Sequence, residues 1–128
     1  MAKTTATQAL ELASAFRKLS IEVGNHRFDN YPDVSAADRK RLEDEEHALR
    51  MLSEQMITKA VGLVLDDIED GVDALAATTA RAATAIKKLA KVRQILGIAG
   101  QAITLGGAVI AKNPKGIVDA LKALAAEL

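Results

Sequence analysis

Residues 94–111 read Gln94-Ile-Leu-Gly-Ile-Ala-Gly-Gln-Ala-Ile-Thr-Leu-Gly-Gly-Ala-Val-Ile-Ala111, eighteen consecutive positions without a charge. How this run is read decides the kind of fold. As a helix it would be about 27 Å long at 1.5 Å per residue. A hydrocarbon core needs about 20 residues, with about 17 as the lower bound. Four glycines and Gln101 weaken the run as a span. Taken alone, such a marginal segment favours a core helix over a membrane span.

The small residues of this run are ordered. Gly97, Gly100, Thr104, Gly107 and Ala111 recur at steps of three and four and form one smooth helix face. Another backbone can approach such a face closely, which drives helix association in membranes. Leu96, Ile103 and Ile110, seven apart, are expected on the opposite, bulky face. In a soluble bundle the small face would be a tight contact with a neighbouring helix. Gly100→Leu would then overpack it, at about 1–3 kcal/mol.

The flanks are basic. Arg81, Lys87, Lys88, Lys91, Arg93, Lys112 and Lys115 fall between Ala74 and Val118, with no acid among them. Residues 1–73 carry 9 basic and 15 acidic side chains (−6), residues 74–118 carry +7 and the last ten −1, which sum to the net charge of 0. Neutrality is therefore an average over segregated charge. Cations beside an apolar run are attracted to anionic lipid, at about 1 kcal/mol each near the surface. This makes Lys87, Lys88, Lys91, Arg93, Lys112 and Lys115 candidate headgroup contacts. The alternative is that the basic helix lies against the acidic half of the chain.

The rest of the chain is helical in pattern. It holds 8 glycines, 2 prolines and abundant alanine, so strands have little support. Helix 1 is predicted over 4–24, with Ala9, Leu12, Phe16, Leu19 and Val23 as its apolar stripe and Gly24-Asn25 as its stop. Residues 26–34 read as a loop around Pro32, with Phe28 and Tyr31 folding back on a bundle end. Ser35 with Asp38 resembles a capping box opening helix 2, predicted over 35–70 with Leu42, Leu49, Leu52, Met56, Ala60 and Leu63 inward. Lys40–Asp44, Arg41–Glu45 and Glu46–Arg50 can pair across a turn, at about 0.2–0.5 kcal/mol each. Helix 3 is predicted over 71–111, straight or bent, with Val72, Leu75, Thr79, Ala82, Ile86 and Leu89 as a seam. Asn113-Pro114 is a strong start for helix 4 over 114–128, with Ile117, Leu121, Leu124 and Leu128 on one face. The expected fold is all-α: one domain, an elongated up-and-down helical bundle of four to five helices with long central helices.

Catalytic chemistry finds little footing. There is no cysteine, so no thiolate nucleophile, disulfide or thiolate metal site. Glu43, Asp44 and His47 share a helix face, with Glu11, Glu22 and His26 elsewhere. A di-metal bundle needs the Glu-x-x-His motif twice, so this is read as a charged surface face and no metal or other cofactor is expected. The four serines make no nucleophile elbow, and the glycines near 106 and 116 do not match a phosphate loop. Lys87-Lys88-x-x-Lys91-x-Arg93 could face phosphates, but no aromatic side chain lies nearby to stack on bases, so nucleic acid ranks last among partners. No apolar h-region follows the polar start Met1-Ala-Lys-Thr. The chain is therefore expected to be made as a cytoplasmic soluble protein and to meet a membrane, or be exported, without a signal peptide.

Long amphipathic helices with one glycine- and alanine-rich apolar segment resemble the plan of helical pore-forming toxins and related membrane-active bacterial proteins, over residues 72–128. That resemblance rests on composition and assigns no residue a role. The uncharged run and its basic flanks lead to the first expectation, a non-enzymatic, membrane-active protein in which 95–111 inserts or lies in the bilayer and close packing along Gly97, Gly100 and Gly107 assembles protomers. The alternative is a soluble helical scaffold or adaptor that pairs with a helical protein partner, as a homo- or hetero-oligomer.

Overall fold

Two side chains open helices as the sequence predicts. The Ser35 hydroxyl accepts the Asp38 N–H at 3.1 Å, and α2 (Ala36–Thr58) follows. The Asn113 carboxamide oxygen accepts the Gly116 N–H at 3.1 Å, and Pro114 begins α5 (Pro114–Ala126). In the computed structural model, residues 6–29, 35–58, 71–88 and 91–128 are described. They form α1 (Ala6–Asp29), α2, α3 (Gly71–Lys88), α4 (Val92–Ile110) and α5, with no strand among them. The fold is all-α, a five-helix bundle.

Contacts along the seams give the helix directions. The Ser53 hydroxyl donates to the Ala13 carbonyl at 2.8 Å and the Ser20 hydroxyl to the Glu46 carbonyl at 3.1 Å, so α1 and α2 are antiparallel. Ala15 shares a groove with Ala76 and Ala77, and His26 Nε2 bonds the Ile86 carbonyl, so α3 runs parallel to α1. A carbonyl only accepts, so Nε2 carries the proton. Gly116 lies by Ala108 and Glu127 by Gly97, so α5 is antiparallel to α4. The order is up-down-up-down-up. Around the bundle the neighbours run α1, α3, α5, α4, α2 and back to α1. Helix α4 also touches α1 and α3, so it meets all four other helices. That central position explains why its inward side is purely apolar.

The core follows the predicted stripes. Leu12, Phe16, Leu19 and Val23 of α1, Leu42, Leu49 and Met56 of α2, and Leu75, Ala82 and Ile86 of α3 are fully buried, with Ile117 and Leu124 of α5. Each large side chain so buried is worth about 1.5–3 kcal/mol of transfer free energy. Thr79 is buried in the same seam, and its hydroxyl bonds the Leu75 carbonyl at 2.8 Å. Ala9, Ala60, Leu63, Val72 and Leu89 of the expected stripes, and Phe28 and Tyr31, fall outside the described side chains. So does any helical course over 59–70.

One expectation is corrected. Helix 1 does not stop at Gly24-Asn25 but continues to Asp29, which takes His26 out of the loop. Gly24 is buried, and the Glu46 carboxyl lies over it where a Cβ would stand. Gly24 therefore lies within the helix beneath the flexible Glu46 side chain and is not a left-handed cap. Within 71–111, expected as one straight or bent helix, the described residues hold α3 and α4, with Lys91 extended ahead of α4. The acidic α2 and basic α3 make no contact among the described residues, so their charges do not pair face to face.

Helix α4 ends in a two-residue junction. The Lys112 N–H reaches the Val109 carbonyl and the Asn113 N–H the Ala108 carbonyl, both at 3.1 Å. This is the double bond pattern of a Schellman end, with Lys112 at φ 56° where glycine is usual. Lys112→Gly should raise stability by about 0.5–1 kcal/mol, read as a higher urea midpoint. Gly106 gives a sharper test. A Cβ there would stand 2.7 Å from Leu52 Cδ1 and 3.0 Å from Phe16 Cε1, whereas at Gly100 it would meet nothing within 4 Å. Gly106→Ala should cost about 1–3 kcal/mol. Gly100→Ala should gain up to about 1 kcal/mol from helix propensity. Urea denaturation of both variants should give midpoint shifts of opposite sign.

Candidate interaction surface

Helix α4 divides its residues between two faces. Ile95, Leu96, Ile98, Ala99, Ala102, Leu105, Gly106 and Val109 are buried. Gly97, Thr104, Gly107 and Ala111 are exposed and Gly100 is half-exposed. A Cβ would meet nothing within 4 Å at Gly100 or Gly107, and at Gly97 only Glu127 Oε2, 4.0 Å away. The small face therefore looks outward with no helix on it among the described residues, contrary to the expected tight contact within the bundle. Overpacking by Gly100→Leu is accordingly not expected in this fold. Leu96 is buried and Ile103 and Ile110 are half-buried against the core. At 100° per residue these three lie on the flank, not opposite the glycines. The face opposite the glycines holds Ala99, Ala102, Gly106 and Val109, all buried.

The exposed stripe is polar only at Thr104, whose hydroxyl bonds the Gly100 carbonyl at 3.1 Å. Over 97–111 it offers about 21 Å of uncharged helix surface. Among the described residues no helix is long and apolar enough to cross a membrane.

The candidate cations are divided. Lys87 and Lys88 close α3, Lys91 caps α4 and Arg93 follows in its first turn, all exposed at one end of the bundle. Lys112 and Lys115 are exposed at the other end of α4, roughly 28 Å away. The structure brings four of the six together, not all six. Lysines at the C-terminus of α3 complement its macrodipole. The opposite holds at α4, where Lys91 takes the extended cap conformation (φ −85°, ψ 115°) and its side chain makes no capping hydrogen bond. The first-turn N–H groups of α4 thus lack a side-chain acceptor and stand beside Lys91 and Arg93, an arrangement that favours anions.

The acidic face of α2 is simpler. Lys40 and Asp44 pair at 2.9 Å in solvent, which contributes little to stability. The Asp44 hydrogen bond and charge raise the Lys40 pKa. Arg50 Nη2 donates to His47 Nδ1 at 3.2 Å. The expected Arg41–Glu45 pair leaves Glu45 Oε2 buried and without a hydrogen-bond partner. Among the described residues no three His, Asp or Glu side chains gather as a metal site.

Sequence reasoning missed Glu45, yet the signal was present. Leu42, Glu45, Leu49, Leu52 and Met56 recur at steps of three and four, so Glu45 holds a place in the apolar stripe. The role of Gly106 carried no comparable signal, since four glycines share that helix. Compared with known proteins, the chain matches no family model, no curated protein and no solved structure.

The uncapped start of α4 yields a test. Lys91→Ser supplies the missing side-chain acceptor and should raise stability by about 1 kcal/mol, read as a higher midpoint in thermal unfolding.

Proposed function

We propose that this protein is a non-enzymatic helical interaction protein that receives a partner helix on the exposed face of α4. One observation carries the reading: Gly97, Gly100, Thr104, Gly107 and Ala111 form an uncharged, open stripe while the bulky residues of α4 point inward. A face of glycine and alanine offers lipid little apolar area. It offers a second helix close backbone approach.

The ends of the stripe define the partner. Arg93 precedes it and Lys112 and Lys115 follow it, all exposed. A second copy laid along α4 in either direction would bring cation onto cation. A helix with small residues at its centre and acidic residues at both ends matches in shape and charge.

A second reading, membrane association, is favoured by Lys87, Lys88, Lys91 and Arg93 around the uncapped start of α4. In that reading this end docks on anionic headgroups, and a pore would require the α4–α5 hairpin to leave the bundle.

A photo-crosslinker at Thr104, used in the native host, tests the first reading. It should capture one discrete helical segment with acidic flanks. Gly100→Leu should abolish capture without lowering the thermal midpoint, because a Cβ there meets nothing within 4 Å and leucine favours a helix over glycine. Capture that survives Gly100→Leu, or that marks no discrete segment, would sink the proposal. Strong pelleting with anionic vesicles, lost on changing Lys87, Lys88 and Lys91 to Gln, would favour the membrane reading instead.

A further inference from the structure

We propose that Glu45 is a proton-controlled latch on the contact between α2 and α4, closed when its carboxyl is neutral and loosened when it is ionised. This regulation is separate from the α4 stripe and does not depend on what binds there.

Placement comes first. Glu45 lies two turns before Leu52 on the same helix face, and Leu52 is the α2 side chain that stands over Gly106 of α4. Its neighbours in the stripe, Leu42 and Leu49, are fully buried. Oε2 of Glu45 is buried and accepts no hydrogen bond. Glu45 as a whole is half-buried, so one oxygen of its carboxylate loses hydration without replacement, a penalty the neutral acid largely escapes. Burial accordingly pushes the Glu45 carboxyl up from its ordinary 4.5 to about 7, with the Arg41 charge acting weakly the other way.

The surroundings supply no better partner. Helices α1 and α4 pack against α2. From α4 no charged or titratable side chain occurs between Gln94 and Ala111, and Arg93 before that run is exposed. On α1, level with the Ser20–Glu46 bond, the titratable groups are Arg17, Lys18, Glu22 and His26. Arg17 is exposed, Lys18 and Glu22 line the groove against α3, and His26 bonds Ile86 of α3. On α2 itself Asp44 is held by Lys40, Glu46 lies over Gly24, and His47 meets Arg50. Only Arg41, exposed one turn earlier, acts on Glu45.

The sign follows from linkage. The closed state holds the proton more tightly than the open state, so closure is complete below about 4.5 and weakens as pH rises to about 7, beyond which it levels off. Acid therefore tightens this contact, the reverse of a paired carboxylate.

The test compares wild type with Glu45→Gln and Glu45→Leu by amide hydrogen exchange in α2 and α4, from about pH 4.5 to about pH 8. Wild-type protection factors, normalised to intrinsic exchange at each pH, should fall by about tenfold in all as the pH rises to about 7, well short of the linkage limit because the side chain is half-exposed. In both variants they should stay flat. Parallel profiles in all three proteins would overturn the latch. If the variants do not fold, a carbon-detected NMR titration of Glu45 in the wild type decides. A midpoint near 7 supports the latch, and one at the ordinary 4.5 refutes it.

Discussion

Gly106 stands where α1, α2 and α4 converge, and its missing side chain sets how closely the three can pack. Leu52 and Phe16 occupy the space that a Cβ would need. Phe16 is the only fully buried aromatic side chain described, and the core around it is built from leucine, isoleucine, valine and alanine. With few large side chains, such a core reaches interior density only if helices approach closely. Close approach requires small residues at the crossing points. Gly24 lies between α1 and α2 beneath the flexible Glu46 side chain. The alanine-rich composition and the bundle geometry are thus two sides of one packing solution.

Much of this fold could be read from the sequence because helical stripes depend on local spacing. Leu12, Phe16, Leu19 and Val23, or Leu75, Thr79, Ala82 and Ile86, declare their faces whatever they pack against. Caps were legible for the same reason, since Ser35 and Asn113 bond within their own first turns. Tertiary roles were not. Gly24 has the local signature of a helix stop, yet the helix continues through it beneath an α2 side chain. The stripe from Gly97 to Ala111 was recognised as one face, but whether a face turns inward depends on four other helices. Pairing rules are local and make Glu45 half of a surface pair with Arg41, while the burial of its Oε2 depends on the helices packed against α2.

Charge segregation takes a different form in three dimensions from the one the chain suggests. Basic and acidic segments alternate in sequence, which invites a picture of one helix masking another. In the bundle α2 and α3 are held apart by α1. The cations gather where chain ends meet: four around the break between α3 and α4, two at the opposite junction before α5. Placing Lys91 where a serine or aspartate would cap the helix gives up local stability. Local rules broken in this way tend to mark surfaces shaped by something other than folding.

The lack of charge along α4 answers two separate demands. Its buried half must be apolar because it meets every other helix. Nothing in the folding of this chain requires the exposed half to be free of charge, and elsewhere the exposed positions carry it, as Lys18, Arg41, Asp44, Lys87 and Lys122 do. Lysine or glutamate at the Gly100 or Gly107 position would fit the open space and favour the helix by up to about 1 kcal/mol over glycine. Folding alone thus leaves the outward glycines unexplained, whereas a surface that must lie flat against another backbone accounts for them.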